Sequence, residues 1–121
     1  MVWIGETNAI HTLLAAVDVV LLPTDTLYAK MDYPLVILEA MSLGKPVVVG
    51  SGTPAEELCT DGSALATEVS RDAVLDVMTR LVESASLRAD HGGRGRERVL
   101  REYTRAPMAA AYEALYDTLC A

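Results

Sequence analysis

Apolar and polar positions along this chain recur with two different periods, and the switches between them mark out elements. Val2-Trp3-Ile4 is a short apolar run closed by Gly5 and reads as a first strand. Thr7 or Asn8 can cap a following helix, in which Ile10, Leu13, Leu14 and Val17 recur at i, i+3, i+4 and i+7, the spacing of one helical face. "VDVVLLP" then runs apolar without alternation and closes at Pro23. Continuous apolarity suits a strand covered on both faces, as in a parallel sheet. After a loop from Thr24 to Tyr33, Pro34 opens a helix to about Leu43, since a first turn does not use the N–H that proline lacks. Gly44 stands at its C-cap, with Lys45 beside it.

"PVVVG" is the next strand, again fully apolar. Thr53-Pro54-Ala55-Glu56 has the pattern of a capping box with proline at N1, starting a short helix. Asp61-Gly62 marks a turn, and "SALATEV" is the fourth and weakest strand. Ser70 caps a helix with Val74, Val77, Met78 and Leu81 on its apolar face. After the polar break "ESAS" a charged helix runs to roughly Tyr103, and Thr104 caps a last one carrying Met108, Tyr112, Leu115 and Leu119 on one side.

Strands alternating with helices predict an α/β fold: a Rossmann-like, three-layer parallel sheet. Four short strands make an incomplete sheet, because sheets of this class commonly have about six. We therefore expect residues 1–83 to hold the sheet and its helices and residues 84–121 the closing helices. We also expect further chain before Met1, or a partner, at the open sheet edge.

Composition narrows the picture. At 121 residues and 51% hydrophobic, one domain with a real core is expected. With no Phe and one Trp, that core rests on Leu, Val, Ala, Ile and Met. A net charge of −7 argues against sequence-independent nucleic-acid binding, which depends on Lys and Arg meeting phosphates. Two distant cysteines, Cys59 and Cys120, form no disulfide framework or metal spacing, which suits a reducing, cytoplasmic compartment. The first ten residues lack the features of a secretory leader, and no apolar run approaches the ~20 residues of a spanning helix.

In open α/β sheets ligands bind beyond the carboxyl ends of the strands. The Thr24–Pro34 and Gly50–Thr53 loops lie there, and each leads into a helix N-terminus, whose free N–H groups favour an anion. Glu39 is the acid on the otherwise apolar helix after the first of these loops, sharing a face with Leu35 and Ser42. It is either a solvated surface residue or a carboxylate offering two oxygens to a vicinal diol, as on a ribose. Lys30 and Asp32 are either an ordinary polar loop or, respectively, a phosphate-neutralising cation and a ligand-orienting acid. Gly50 and Gly52 permit either a tight turn or close approach of a ligand, and form neither a Walker A loop nor a dinucleotide fingerprint. His11 and His91 have no nucleophile or carboxylate at a recognisable spacing and read as structural or surface residues. Arg94, Arg98, Arg101 and Arg105 follow helical spacing. The simple reading is a solvated face paired with Glu97 and Glu102, and the alternative is peripheral contact with an anionic membrane or a partner domain.

These residues carry a family resemblance. "LLAAVDVVLLPT", "YPLVILEAMSLGKPVVV" and "REYTRAPMAAAYEALY" together resemble the C-terminal part of a GT-B-fold glycosyltransferase of the large retaining group, family four, that includes sucrose synthase and phosphatidylinositol mannosyltransferase. The likeness covers nearly the whole chain and is most specific in its centre. It implies a donor-binding domain in which Glu39 takes the ribose hydroxyls of a UDP- or GDP-sugar. Backbone amides around Tyr33, Pro34, Leu35 and Val36 would face the diphosphate and sugar. Proline cannot donate, which leaves Leu35 and Val36 as the better donors. Thr24, Lys30, Met31, Asp32 and Tyr33 fall on the donor side of the loop. The family pattern has a second Glu eight residues before Glu39, holding the transferred sugar; here Met31 stands at that place, with Asp32 next to it.

The resemblance further implies that the basic residues neutralising the diphosphate, and an acceptor domain, lie upstream of Met1. It implies no metal and no cofactor beyond the donor, and a reaction that retains configuration. The expected function is sugar transfer from a nucleotide donor to an unknown acceptor, with this chain inactive alone. The alternatives are a non-catalytic sugar-nucleotide-binding subunit completed by a partner chain, a sugar-nucleotide epimerase, or a truncated reading frame.

Overall fold

A parallel sheet with strand order β1-β2-β3 forms the middle layer, built from Val20–Leu22, Val47–Gly50 and Leu65–Thr67. The computed structural model describes residues 1–25 and 34–120. Val20–Leu22 pair in register with Val47–Val49, and Val48–Gly50 with Leu65–Thr67. The helices are α1 (Ile10–Ala16), α2 (Leu35–Ser42), α3 (Arg71–Glu83), α4 (Ala85–Glu102) and α5 (Arg105–Cys120), with a 3₁₀ helix over Pro54–Cys59.

The pleat of β2 explains its unbroken apolar run. Val47 and Val49 enter a core with Leu14, Ile37, Ala40, Met41, Leu58 and Val99, from α1, α2, the 3₁₀ helix and α4. Val48 points the other way, onto Val77 and Leu81 of α3. Alternation would have left one face wet; here both faces are dry, so every position is apolar. All four β2 residues are buried, whereas the three of β1 are only half-buried. The three layers are those expected from the alternating pattern.

The first expected strand does not form. Residues 1–9 contain no strand, and Trp3 is 90% exposed. A strand exists only through a neighbour that takes its N–H and C=O groups. The sheet grows from β1 to β3 in chain order, and no strand among the described residues lies beside Val2–Ile4.

The end of α2 shows why its flanking glycines are there. The Gly44 N–H donates to the Met41 carbonyl at 2.9 Å and the Lys45 N–H to the Ala40 carbonyl at 3.0 Å. That pair of bonds is a Schellman motif, and it requires Gly44 in the left-handed region, at φ 71°. Gly44 is thus one residue past the C-cap, which is Leu43. The glycines of α4 let it pack against this corner: a Cβ on Gly92 would lie 2.1 Å from the Gly44 carbonyl oxygen.

α4 is also tied to the turn after the 3₁₀ helix. Arg98, only 6% exposed, donates to the Glu57 carbonyl at 3.1 Å, to Asp61 Oδ1 at 3.2 Å and to Glu102 Oε2 at 3.0 Å. Of the solvated-face reading, the Glu102 pairing holds, with Arg98 and Arg101, but Arg98 itself is buried. Arg98 is an interior clamp, Arg94 pairs with Asp90 and Arg101 with Glu102, and the stripe is not one free basic face. Among the described residues no helix is long and apolar enough to cross a membrane.

Candidate functional site

At the carboxyl end of the sheet three loops lead from the three strands into three helices, and each helix N-terminus is finished differently. After β3, Ser70 caps α3 as expected, its hydroxyl accepting from the Ala73 N–H at 3.2 Å. After β2, the pattern read as a capping box closes another way. Thr53 donates its hydroxyl to the Gly50 carbonyl at 2.9 Å, and Glu56 accepts from the Gly52 N–H at 2.8 Å. The Ser51 N–H is taken by the Thr67 carbonyl at 2.8 Å. The protein's own carboxylate and sheet thus satisfy this loop. Gly50 allows a close approach, but of Thr24: a Cβ there would lie 1.9 Å from the Thr24 carbonyl oxygen.

After β1 the arrangement is open. Pro34 is the N-cap of α2, extended at φ −60°, ψ 121°, rather than its first helical residue. It has no side chain to cap with, and the first turn of α2 contains no acid. The Ile37 N–H goes back to the Pro34 carbonyl at 2.9 Å. The N–H groups of Leu35 and Val36, which no intrahelical carbonyl can reach, make no hydrogen bond among the described residues. Among the described residues, α2's is the N-terminus at this edge whose first N–H groups have no partner, and they lie at the positive end of its dipole.

Glu39 stands four residues further on, about 6 Å along the helix axis. Its side chain is 34% exposed, and among the described residues His11 of α1 lies beside it, with Nε2 3.7 Å from Oε1. Ser42 does not engage the carboxylate; its hydroxyl donates to the Glu39 main-chain carbonyl at 2.7 Å. Val36 packs its side chain against the core while that of Leu35 is exposed. Thr24 is half-buried at the end of β1, its N–H donating to the Leu22 carbonyl at 3.0 Å. Lys30, Met31, Asp32 and Tyr33 lie outside the described residues.

An open apolar groove of about 470 Å³ lies on the other face of the sheet, lined by Pro23, Val69, Val74, Leu75 and Met78. Its polar lining is Ser70, which is spent on the α3 cap, and Arg71 in the first turn of α3. The polar site is on the α2 side.

The other histidine has a structural partner. His91 Nδ1 lies 2.7 Å from the Gly62 carbonyl and so carries the proton there. Cys59 is chemically quiet, since burial above all, with Glu56 and Asp61 adding to it, pushes its thiol up to about 11. Both cysteines are free.

Sequence reasoning placed Glu39 and the α2 amides together and read His11 as a structural or surface residue; it is exposed, and it lies beside Glu39. The signal was present in the period: His11 is three residues before Leu14, which α1 buries, so both project from one side of the helix.

Residues 1–84 match the family model for glycosyl transferases group 1, which spans α1 to the end of α3 and includes His11, Leu35, Val36 and Glu39. No curated protein matches the chain.

Proposed function

The chain belongs to the group 1 glycosyl transferases, and from that premise we propose that its α2 edge is the donor site for a nucleotide sugar. The free N–H groups of Leu35 and Val36 meet the diphosphate. Glu39 accepts hydrogen bonds from the ribose diol. The observation that carries this reading is the pairing of an uncapped helix N-terminus with a half-exposed carboxylate one turn further on. A nucleoside diphosphate has the matching order of groups, anion and then diol.

In transfer, the diphosphate leaves as negative charge develops on it. Fixed amide donors and a helix dipole stabilise that charge without reorganising. The acceptor attacks the same face of the sugar, and the protein's part is positioning and charge rather than a nucleophile. Configuration is retained, and the donor is a UDP- or GDP-sugar. The loop residues Lys30, Met31, Asp32 and Tyr33, with Thr24, form the sugar side. Met31 in place of a second acid hands sugar recognition to Asp32 or to the acceptor-side domain. The half-covered β1 supports completion of the cleft by further polypeptide, whether upstream chain or a partner subunit. The chain alone binds donor but does not turn it over.

Isothermal titration of UDP- and GDP-sugars into wild type and Glu39→Ala tests the site. We expect one base to be preferred and the variant to bind it about 10–100-fold more weakly, the loss of charge-assisted hydrogen bonds. Equal affinity of variant and wild type would remove the ribose assignment. A transfer or donor-hydrolysis assay on the same chain is expected to show no turnover, and clear product would overturn the claim of an incomplete cleft.

A further inference from the structure

Glu39 has a neighbour that neither family membership nor the sequence pattern assigns to the site. His11 reaches across from α1, its Nε2 3.7 Å from Glu39 Oε1. That is longer than a hydrogen bond, so neither group spends its capacity on the other. No other side chain bonds the Glu39 carboxylate among the described residues. The imidazole is 70% exposed, yet its backbone is well placed: Leu14, one turn on, is buried in the core shared with α2. α1 therefore presents His11 at the rim of the α1–α2 seam, over the carboxylate.

The two groups are chemically complementary to one ligand feature. A carboxylate is acceptor only, while an imidazole N–H is a donor. A vicinal diol presents two O–H donors and lone pairs on the same oxygens. Glu39 alone can take the donors and leaves the lone pairs facing solvent. A hydroxyl set between Oε1 and Nε2 would donate to one and accept from the other. Resting on the donor-site reading above, we propose that His11 is a second ribose-binding residue, donating to the diol that Glu39 accepts from. An ordinary surface contact between His11 and Glu39 would give no dependence on the ligand's hydroxyls.

The test uses the full chain and isothermal titration with UDP, GDP and their 2′,3′-dideoxy forms, following whichever base binds. His11→Ala is expected to weaken the ribonucleotide about 5-fold, the size of one net hydrogen bond, and to leave the dideoxy form unchanged. His11→Gln, which keeps an N–H donor, should recover much of the loss. Because His11 is exposed, these variants fold. If His11→Ala binds the ribonucleotide as wild type does, or loses equally on the dideoxy form, the His11 assignment is overturned. A simultaneous loss in Glu39→Ala would then leave the ribose site standing. If Glu39→Ala is also without effect, or wild type binds neither nucleotide, the donor-site reading itself fails and the His11 role goes with it.

Discussion

Arg98 shows at the level of one residue how position overrides residue type. Spaced among three other arginines, it reads as part of a basic surface stripe; packed, it is buried and its donors meet the Glu57 carbonyl, Asp61 and Glu102. Burial works against its charge, but the Glu102 hydrogen bond and Asp61 outweigh this and raise its pKa. On the acid side, burial pushes the Asp61 carboxyl up, and hydrogen bonds from Ser63 and the charge of Arg98 bring it below its ordinary 3.8. Hydrogen bonds from Arg101 and then Arg98 hold Glu102 below 4.5. Both acids titrate lower when folded, so they stabilise the fold above their ordinary values and lose that contribution as pH falls through the folded ones. We predict that Arg98→Met costs about 2 kcal/mol at pH 7, from the lost bonds of a buried guanidinium. It should also flatten the fall in Tm below pH ~4. Thermal melts between pH 3 and 7 check both, and an unchanged acid slope in the variant would contradict the clamp.

Helix α4 carries glycines at 92, 93 and 95, which by propensity weaken a helix. Two of them are explained by what they touch. A Cβ on Gly92 would meet the Gly44 carbonyl, and one on Gly95 the Ser63 carbonyl at 2.9 Å, whereas a Cβ on Gly93 has nothing within 4 Å. Adjacent substitutions should therefore have opposite signs. Gly93→Ala is predicted to stabilise by about 0.5–1 kcal/mol, through propensity alone. Gly92→Ala gains the same propensity but forces α4 off the α2 corner, where overpacking costs roughly 1–3 kcal/mol or more, leaving a net loss. Denaturant melts of the two variants are the measurement, and a stabilised Gly92→Ala would mean that the corner yields. The same corner bears on the site, because α2 can aim its N-terminus at a ligand only if its other end is pinned by the Schellman turn.

Over the whole molecule, cover is uneven. β2 is buried on both faces, β1 is half-covered, and α5 buries no residue at all. Met108, Tyr112, Leu115 and Leu119 are regularly spaced and all exposed, so the pattern that reads as an inward face has no core to meet among the described residues. Tyr103, just before α5, does pack against the core. We predict that removing residues 105–121 changes stability by less than about 1 kcal/mol, whereas cutting before Tyr103 costs more. Thermal melts of the two truncations decide this, and a large loss from the first would show that α5 is anchored.

Much of this was legible in residue order. Local patterns place the α2 helix, its glycine stop, the Ser70 cap and the doubly covered β2, because each depends on neighbours within a turn or a strand. The same holds for the pairing of free α2 amides with Glu39, since one helix holds both. What required the tertiary structure were relations between distant segments. Val2–Ile4 has strand character but no strand beside it among the described residues, and a strand is a property of a pair. The Thr53–Glu56 box is a local exception: it rearranged because Gly52, in the same turn, offered a donor within reach of Glu56. Arg98 went inside because three acceptors from separate segments converge on it. The approach of His11 to Glu39 is of the same kind: the distance is set by the packing of α1 on α2, of which the residue order shows only that His11 shares a helix side with buried Leu14.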